Sequence, residues 1–239
     1  MSSGLARETG VQTARPADEP ALRAALIATA RQMNALDINR GKSGNVSARL
    51  RTADFDGYLV TPTGLPYDEI GPDDIVAMPL DGGEGAARGA RRPSSEWRFH
   101  RDLHASRADI GAVVHTHSPF ATTLACLDRG IPPFHYMVAV AGGRDIRCAP
   151  YATFGTQALS DHALAALAGR RACLLSHHGM IAVGVTLRAA LALAVEVETL
   201  AEMYWRALQI AAPSLLDDAE MERVIARFAT YGQPALADP

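Results

Sequence analysis

Two histidines separated by a single residue, His115 and His117, lie on an apolar run that is typical of a β-strand. Side chains on a strand alternate between its two faces, so both imidazoles point to the same side and can bind one metal ion. The pair His177–His178, on a second apolar run that ends at a glycine, offers a third imidazole, and Glu96 offers a carboxylate. Three nitrogens and one displaceable carboxylate suit zinc, because one coordination position can then open for a substrate. We therefore predict a catalytic metal site.

Other features near Glu96 compete with this interpretation. Ser94 or Ser95 can cap a helix that has Glu96 in its first turn, where a carboxylate also has a structural role because it complements the helix dipole. His100 and His104 follow on the same helix face. Their HxxxH spacing lacks the central glutamate of the zinc proteases. We therefore expect these two histidines on the surface or behind the ligands.

Three short segments are rich in the hydrogen-bond donors that bind phosphate. They are the glycine-rich turn 41–47, which contains Gly44 and Asn45, the turn Thr61–Gly64, and the pair Ser94–Ser95. Backbone amides beside a glycine can approach an anion closely, although an ordinary hairpin turn also explains residues 41–47. The GxxxxGK[ST] pattern of nucleotide triphosphatases is absent. A fold that brings the three segments together would therefore make a different kind of phosphate pocket.

Composition narrows the class of protein. The chain has 239 residues, 48% of them hydrophobic, which is enough to bury one large α/β core. The formal net charge is −3, and no basic cluster is interleaved with aromatic residues, which argues against nucleic-acid binding. Three cysteines without CxxC spacing indicate buried thiols in a reducing compartment. No signal peptide or membrane-spanning run is evident, so we expect a cytoplasmic protein without a membrane partner.

Apolar periodicity predicts a single domain over residues 21–232, with flexible segments at 1–20 and 233–239. Helices are predicted at about 21–39, 95–107, 119–127, 159–168, 186–211 and 217–228. Strands are predicted at about 46–50, 58–60 and 112–117, and a buried hairpin at about 172–183. Nothing repeats along the chain and no linker divides it.

Seven segments occur in a fixed order along the chain: GNVS, TPTG, SSEWRFH, VVHTHS, IPPFHYM, YATFG and SHHGMIA. In this combination the chain resembles the class II aldolase/adducin superfamily, and within it the branch that acts on L-fuculose 1-phosphate. The resemblance implies an α/β fold: a three-layer α/β/α sandwich with a central, mainly antiparallel sheet. It also implies a homotetramer with active sites between neighbouring subunits.

The resemblance further assigns roles to individual residues. It implies one zinc ion per subunit, held by His115, His117 and His178 with Glu96 as the fourth ligand, so that His177 is only a neighbour. Phosphate binding is assigned to Gly44, Asn45, Thr63, Gly64, Ser94 and Ser95. Tyr136 matches a tyrosine that reaches the substrate from an adjacent subunit, and Phe154 and Tyr231 match residues that line the same site.

The activity that the resemblance implies is reversible cleavage of a ketose 1-phosphate, L-fuculose 1-phosphate or a close relative. The products are dihydroxyacetone phosphate and an aldehyde. Glu96 would shuttle the proton at the carbon that remains with dihydroxyacetone phosphate, and Tyr136 the proton on the aldehyde oxygen. No Schiff-base lysine is needed, in agreement with a chain whose only lysine is Lys42. Lys42 stands where the pattern has a small hydroxyl residue, so it either alters the phosphate site or points to solvent.

Several rival functions share these motifs. Pentulose-phosphate 4-epimerases of the same superfamily have aspartate where Glu96 stands, so the glutamate favours an aldolase. Decarboxylases of sugar-acid phosphates and aldolases of 5-deoxypentulose phosphates are not distinguished by motif alone. A non-enzymatic, adducin-like binding domain would lose the metal ligands, whereas this chain retains the whole set.

Overall fold

A computed structural model describes residues 18–228, so Tyr231 lies outside the described part of the chain. Its α-helices are α1 (Glu19–Ala35), α2 (Trp97–Ser106), α3 (Pro119–Ala125), α4 (Gln157–Ala166), α5 (Leu187–Ile210) and α6 (Asp218–Phe228). Its strands are β1 (Asn45–Arg51), β2 (Asp56–Val60), β3 (Val76–Pro79), β4 (Ala112–Thr116), β5 (Arg147–Ala149), β6 (Ala172–Leu175) and β7 (Gly179–Gly184). Short 3-10 helices span Pro72–Asp74, Glu84–Ala86 and Tyr136–Ala141.

The seven strands of the described chain form one sheet in the order β3-β2-β1-β4-β7-β6-β5. Neighbouring strands run antiparallel, except that β5 lies parallel to β6 at one edge. At the centre of the sheet, Asn45 of β1 pairs with His115 of β4, which pairs on its other side with Ile181 of β7. Residues that are directly opposite in an antiparallel pair point to the same face. The register therefore places Asn45 beside His115.

Helices cover both faces of the sheet. On one face α1, α3 and α5 pack against residues that include Val114 and Ala182, and on the other α2 and α4 pack against Val113 and Ile181. Because successive strand residues alternate between the faces, the central strands are apolar on both sides. His115, two residues after Val113, projects to the α2/α4 side.

The predicted fold is confirmed: the protein is a three-layer α/β/α sandwich whose mixed sheet is mainly antiparallel. The long helix α5 and the β6–β7 hairpin also occur where they were predicted. Strand β3, which ends in a proline, was not predicted. Residues 131–155 were predicted as strands and loops without bounds, because the three residues of β5 are too few for a clear alternating pattern. The prediction of buried thiols fails for Cys126, which is exposed.

Helix α1 begins two residues before the predicted boundary. The Asp18 side chain accepts a hydrogen bond from the backbone N–H of Ala21, and Pro20 lies in the first turn, where a proline costs no hydrogen bond. These two residues, which sequence analysis placed in the N-terminal extension, therefore form the start of the helix. Among residues 18–228, no helix combines the length and the apolar composition that a membrane span requires.

A buried carboxylate connects α5 to the segment that follows β4. Glu198 Oε1 accepts from the backbone N–H of Phe120 at 2.7 Å, and its Oε2 accepts from that of Ala121 at 2.8 Å. These N–H groups lie in the first turn of α3, where no intrahelical acceptor is available. Glu198 therefore caps α3, which begins just beyond His117.

Candidate metal centre

Four potential metal ligands converge at one end of the central strands. His115 lies in β4, His117 just beyond its last residue, Glu96 immediately before α2, and His178 in the turn between β6 and β7. Glu96 was predicted in the first helical turn, whereas it occupies the N-cap position without capping the helix through its side chain. The carboxylate is therefore free to point toward the histidines instead of the helix end.

The donor atoms of these residues lie within contact distance of one another. His115 Nε2 is 3.1 Å from Glu96 Oε2 and 3.1 Å from His117 Nε2, and His178 Nε2 is 3.2 Å from Glu96 Oε1. One donor nitrogen from each histidine lies within 4.8 Å of the other two. His115 and Glu96 are buried, whereas His117 and His178 are partly exposed. The group is therefore anchored in the interior and accessible from the His117 and His178 side.

Backbone contacts fix the geometry of the group. His115 Nδ1 lies 2.9 Å from the carbonyl oxygen of Met180. It therefore carries a proton and, in the uncharged ring, leaves a lone pair on Nε2. Gly179 follows His178 directly, and a Cβ atom at this position would come within 2.3 Å of the carbonyl oxygen of Thr116. Only glycine allows β7 to start so close to the end of β4, which brings His178 to the group.

The neighbouring His177 is directed elsewhere. Its φ of 52° is left-handed, which is uncommon for a residue other than glycine. Its side chain is about half exposed, with Nε2 3.9 Å from Asp128 Oδ2. The conformation of this turn thus directs the His178 side chain toward the other candidate ligands and the His177 side chain away from them.

The charges in the group match the needs of a cation. Burial would raise the pKa of Glu96 and lower the pKa of His115, but the pairing of their opposite charges reverses both effects. The pKa of Glu96 falls to about 2, whereas the pKa of His115 rises. Burial, together with the charge of nearby His115, lowers the pKa of His117 to about 3 and that of His178 to about 4. Near neutral pH, His117 and His178 are therefore uncharged and can donate a lone pair, beside the ionised carboxylate of Glu96.

Two features of the group favour a bound cation. Glu96 Oε1 is buried and accepts no hydrogen bond from the described residues. Once His115 has lost its extra proton, the Nε2 atoms of His115 and His117 also face each other at 3.1 Å with lone pairs that repel. A positive ion between these atoms removes both difficulties. Three imidazole nitrogens and a carboxylate form a donor set that zinc and related divalent ions accept.

The three donor-rich segments lie side by side, next to this group. The backbone N–H of Val46 donates to Thr61 Oγ1 at 3.2 Å, and the N–H of Ser94 donates to the carbonyl oxygen of Thr61 at 3.0 Å. Thr61 thus connects the segment 41–47, which runs into β1, to the Ser94–Ser95 segment. The Ser94 hydroxyl accepts from the N–H of Glu96 at 3.2 Å, which connects the same segments to the metal centre.

The six residues predicted to bind phosphate differ in exposure. Thr63, Gly64 and Ser95 are exposed, whereas Gly44, Asn45 and Ser94 are buried. A Cβ atom on Gly44 would lie 2.5 Å from the carbonyl oxygen of His115, so this position has no room for a side chain. Asn45 Nδ2 already donates to Glu96 Oε2 at 2.9 Å. Fewer side-chain donors are therefore free for a phosphate than the sequence predicted.

Lys42 connects two of the donor-rich segments. Its Nζ donates to the carbonyl oxygen of Gly64 at 2.9 Å, and its side chain is exposed. Of the two possibilities that the sequence left open, this contact favours a lysine that contributes to the segments where phosphate binding is predicted.

Tyr136 and Phe154 do not contact the metal group within this chain. Tyr136 is 50% exposed and stacks on Phe228, with ring centroids 6.4 Å apart, and Phe154 is 65% exposed. Within residues 18–228, no ring contact joins Tyr136 or Phe154 to His115, His117 or His178. The loop of Phe154 does reach the Ser94–Ser95 segment, since a Cβ atom on Gly155 would lie 2.7 Å from the carbonyl oxygen of Ser95. The roles of Tyr136, Phe154 and Tyr231 stay predictions.

A buried polar cluster behind Glu96 was not predicted from the sequence. Asn45 Oδ1 lies 2.6 Å from His100 Nε2, and Ser47 Oγ lies 2.7 Å from His100 Nδ1 and 2.8 Å from His104 Nε2. A surface position for His100 and His104 is therefore wrong, and both lie buried behind the ligands. One pattern in the sequence could have predicted the cluster. Asn45 and Ser47 are two residues apart on a strand and His100 and His104 are four apart on a helix, so each pair lies on one face of its element.

Known proteins are similar in sequence to this chain over most of its length. A family model described as Class II Aldolase and Adducin N-terminal domain matches residues 24–205. The 5-methylthioribulose-1-phosphate/5-deoxyribulose-1-phosphate aldolase of Rhodospirillum rubrum is 60% identical over 220 residues, which cover 92% of this chain and 96% of that protein. The L-fuculose phosphate aldolase of Escherichia coli is 48% identical over 208 residues, which cover 87% and 94%.

A solved structure shows the same relationship in three dimensions. An L-fuculose 1-phosphate aldolase superposes with a TM-score of 0.81 at 38% identity, covering 87% of this chain and 96% of its own. Residues 24–205, which the family model matches, include the central sheet and all four candidate ligands. The chain therefore belongs to the class II aldolase and adducin family, among its aldolase enzymes.

Proposed function

We propose that this protein is a zinc-dependent aldolase that reversibly cleaves a ketose 1-phosphate to dihydroxyacetone phosphate and an aldehyde. The strongest support is the convergence of Glu96, His115, His117 and His178 beside the three donor-rich segments. A ketose 1-phosphate carries a carbonyl and hydroxyl groups next to a phosphate. Its carbonyl and hydroxyl groups therefore suit the candidate metal ligands, and its phosphate suits the adjacent donor-rich segments.

His115, His117, His178 and Glu96 are the residues that would hold the zinc ion. Bound there, zinc supplies Lewis acidity that stabilises negative charge on the oxygens of the substrate. In the condensation direction, the Glu96 carboxylate removes a proton from C3 of dihydroxyacetone phosphate, and Tyr136 donates its hydroxyl proton to the aldehyde oxygen as the C3–C4 bond forms. Cleavage reverses both proton transfers. The pKa of Glu96, about 2, keeps its carboxylate ionised at neutral pH, the state in which it can bind a cation.

We further propose a homotetramer with active sites between subunits. Half of the Tyr136 side chain is exposed, and within residues 18–228 its ring contacts are to His135 and Phe228. A tyrosine in this position is available to a neighbouring copy of the chain. Its assignment to proton transfer therefore supports a site that a second subunit completes.

Two substrate classes have support among the relatives. The Rhodospirillum rubrum relative is named for 5-methylthioribulose 1-phosphate and 5-deoxyribulose 1-phosphate, so a 5-deoxypentulose 1-phosphate is the first candidate. L-Fuculose 1-phosphate, which sequence analysis favoured, is the second candidate, supported by the 48% identical relative. Cleavage between C3 and C4 leaves dihydroxyacetone phosphate in either case. The two classes differ only in the aldehyde, so the metal and phosphate regions do not distinguish them.

The test is release of dihydroxyacetone phosphate from 5-deoxyribulose 1-phosphate and from L-fuculose 1-phosphate, before and after the metal is removed with a chelator. We expect release that the chelator abolishes and zinc restores, with the higher kcat/KM for 5-deoxyribulose 1-phosphate. Faster cleavage of L-fuculose 1-phosphate would select the second candidate. No release from either compound by zinc-loaded protein would contradict the proposed function. Unphosphorylated 5-deoxyribulose is the control, and it should be a far poorer substrate.

A further inference from the structure

A row of buried polar side chains runs between β1 and α2 and ends at Glu96. Asn45 and Ser47 project from the same face of β1, and His100 and His104 lie about one turn apart on α2. None of these four residues is more than 4% exposed. The contacts along the row are 2.8 Å from His104 to Ser47, 2.7 Å from Ser47 to His100, 2.6 Å from His100 to Asn45, and 2.9 Å from Asn45 to Glu96.

The charge of Glu96 fixes the direction of the hydrogen bonds nearest to it. An ionised carboxylate only accepts, so Asn45 donates from Nδ2 to Glu96 Oε2 and presents Oδ1 to His100. His100 must then carry its proton on Nε2. Burial keeps the pKa of His100 well below its usual value, so the ring is uncharged and its Nδ1 is an acceptor.

The direction of the hydrogen bonds is also fixed at Ser47 and His104. The single hydroxyl proton of Ser47 goes to His100 Nδ1, so Ser47 Oγ accepts from His104 Nε2. Burial lowers the pKa of His104 to about 3, although a backbone contact with Ile110 opposes this shift, so the ring is uncharged. Every donor in the row therefore points toward Glu96.

The row reaches only one of the two carboxylate oxygens. Glu96 Oε2 accepts from Asn45, whereas the buried Oε1 accepts from no described residue and faces His178 Nε2 at 3.2 Å. We propose that His100 is a positioning residue that acts through Asn45 to hold Oε2 in place, so that Oε1 is the oxygen that moves toward metal or substrate. Without a donor at His100, the buried Oδ1 of Asn45 loses its partner, so only the contact with Glu96 still holds the amide and Oε2 is positioned less firmly.

The test compares two substitutions at the same position. His100→Gln retains an amide N–H near the position of Nε2, whereas His100→Leu has a similar volume but no donor. We expect the affinity for zinc, measured by competition with a chelator, to fall about 10- to 100-fold in H100L and to stay within about threefold in H100Q. Melting temperatures of the metal-free proteins are measured in parallel, because a purely structural role would change stability without separating the two variants in zinc affinity.

Ser47→Ala tests the same row if H100L does not fold. Removal of the hydroxyl frees His100 to carry its proton on Nδ1, so Asn45 loses its constraint with little change in packed volume. We expect a loss of zinc affinity of about 3- to 10-fold and an altered visible absorption spectrum of the cobalt-substituted protein. Wild-type affinity and an unchanged cobalt spectrum in S47A would overturn the proposal, as would equal affinities in H100L and H100Q.

The proton-transfer part of this inference rests on the proposed function, whereas the metal part does not. Zinc affinity and the cobalt spectrum are measured without substrate, so they test the positioning role even if no ketose phosphate is cleaved. Absence of cleavage by zinc-loaded wild-type protein would contradict only the proposed function. If cleavage occurs, zinc-saturated H100L should have a lower kcat than H100Q, with similar KM values, because the substitution acts on Glu96 and not on phosphate binding.

Discussion

The metal centre and the exposed aromatic residues differ in how completely a single chain builds them. In the centre, Glu96 is 4% exposed and its oxygens lie 3.1 and 3.2 Å from two histidine nitrogens. Tyr136 and Phe154 are 50% and 65% exposed, and within residues 18–228 neither touches a candidate ligand. The fold of one chain thus brings the four candidate ligands together, whereas it does not bring the two exposed aromatic residues to them. The following experiments test that difference.

The largest effect is expected from removing a nitrogen from the metal group. His178→Asn leaves two imidazoles, so zinc content should fall to a small fraction, and release of dihydroxyacetone phosphate should drop by about 1000-fold or more. Both are measured on purified protein, by elemental analysis and by a coupled assay.

His177→Asn is the matched control, because asparagine tolerates the left-handed backbone at this position. We expect its zinc content to be unchanged and its activity to stay within about threefold of wild type, as for an exposed residue without a ligand role. Loss of zinc in H177N with retention in H178N would reverse the assignment of the two histidines.

The next largest effect should show that an aromatic residue can be changed without a loss of metal. Tyr136→Phe removes the proposed proton donor, so kcat should fall by about 100-fold while zinc content stays the same. Tyr151→Phe, at another exposed tyrosine, should leave kcat unchanged. An unaltered rate in Y136F would remove the role assigned to Tyr136.

A mixing experiment asks whether Tyr136 acts in its own subunit or in a neighbour. H178N and Y136F should each have low activity, and their defects are complementary. If the tyrosine acts on the site of an adjacent subunit, equal mixing with subunit exchange should restore up to about a quarter of wild-type activity. No recovery from verified mixed oligomers would show that each chain supplies its own tyrosine.

Lys42 is exposed like the aromatic residues, yet it donates directly to Gly64, in a segment where phosphate binding is predicted. Lys42→Met removes the positive charge between the donor-rich segments, so KM for the phosphorylated substrate should rise about 5- to 10-fold with little change in kcat. Lys42→Arg keeps the charge and should lie closer to wild type. Equal KM values for K42M and wild type would indicate that the lysine only ties the two turns together.

The smallest effect should come from a residue that supports the centre without belonging to it. Glu198→Gln leaves one acceptor oxygen where two accepted from the first turn of α3. We expect a loss of about 1 to 2 kcal/mol in the free energy of unfolding, measured by chemical denaturation. Zinc content should not change. A large loss of zinc in E198Q would mean that α3 controls the position of His117.

Local patterns predicted the parts of this molecule that depend on local spacing. The i, i+2 spacing of His115 and His117 predicted a shared face, and the long apolar periodicity predicted α5. The fold class came from several motifs in a fixed order. In contrast, the short strand β5 and its parallel pairing with β6 depend on tertiary contacts. The sequence of a three-residue segment carries no pattern that predicts such contacts.

The buried row behind Glu96 shows why the rest of the site was harder to predict. His100 and His104 form an ordinary helical pair, and nothing in their own spacing distinguishes a buried face from an exposed one. Their burial follows from the register that pairs Asn45 with His115 and sets β1 beside α2. Register is a long-range property, so the hydrogen bonds that decide how Glu96 is held were not visible in either segment alone.

The candidate ligands come from three separate parts of the fold: β4 with its end, the β6–β7 turn, and the residue before α2. An unfolded chain has no such group, so metal binding and folding are thermodynamically linked. At a free metal concentration roughly 100 times the dissociation constant, the native state gains about 2.7 kcal/mol by mass action. A metal ion bound by this group would therefore make the thermal stability of the protein depend on the metal supply as well as on the sequence.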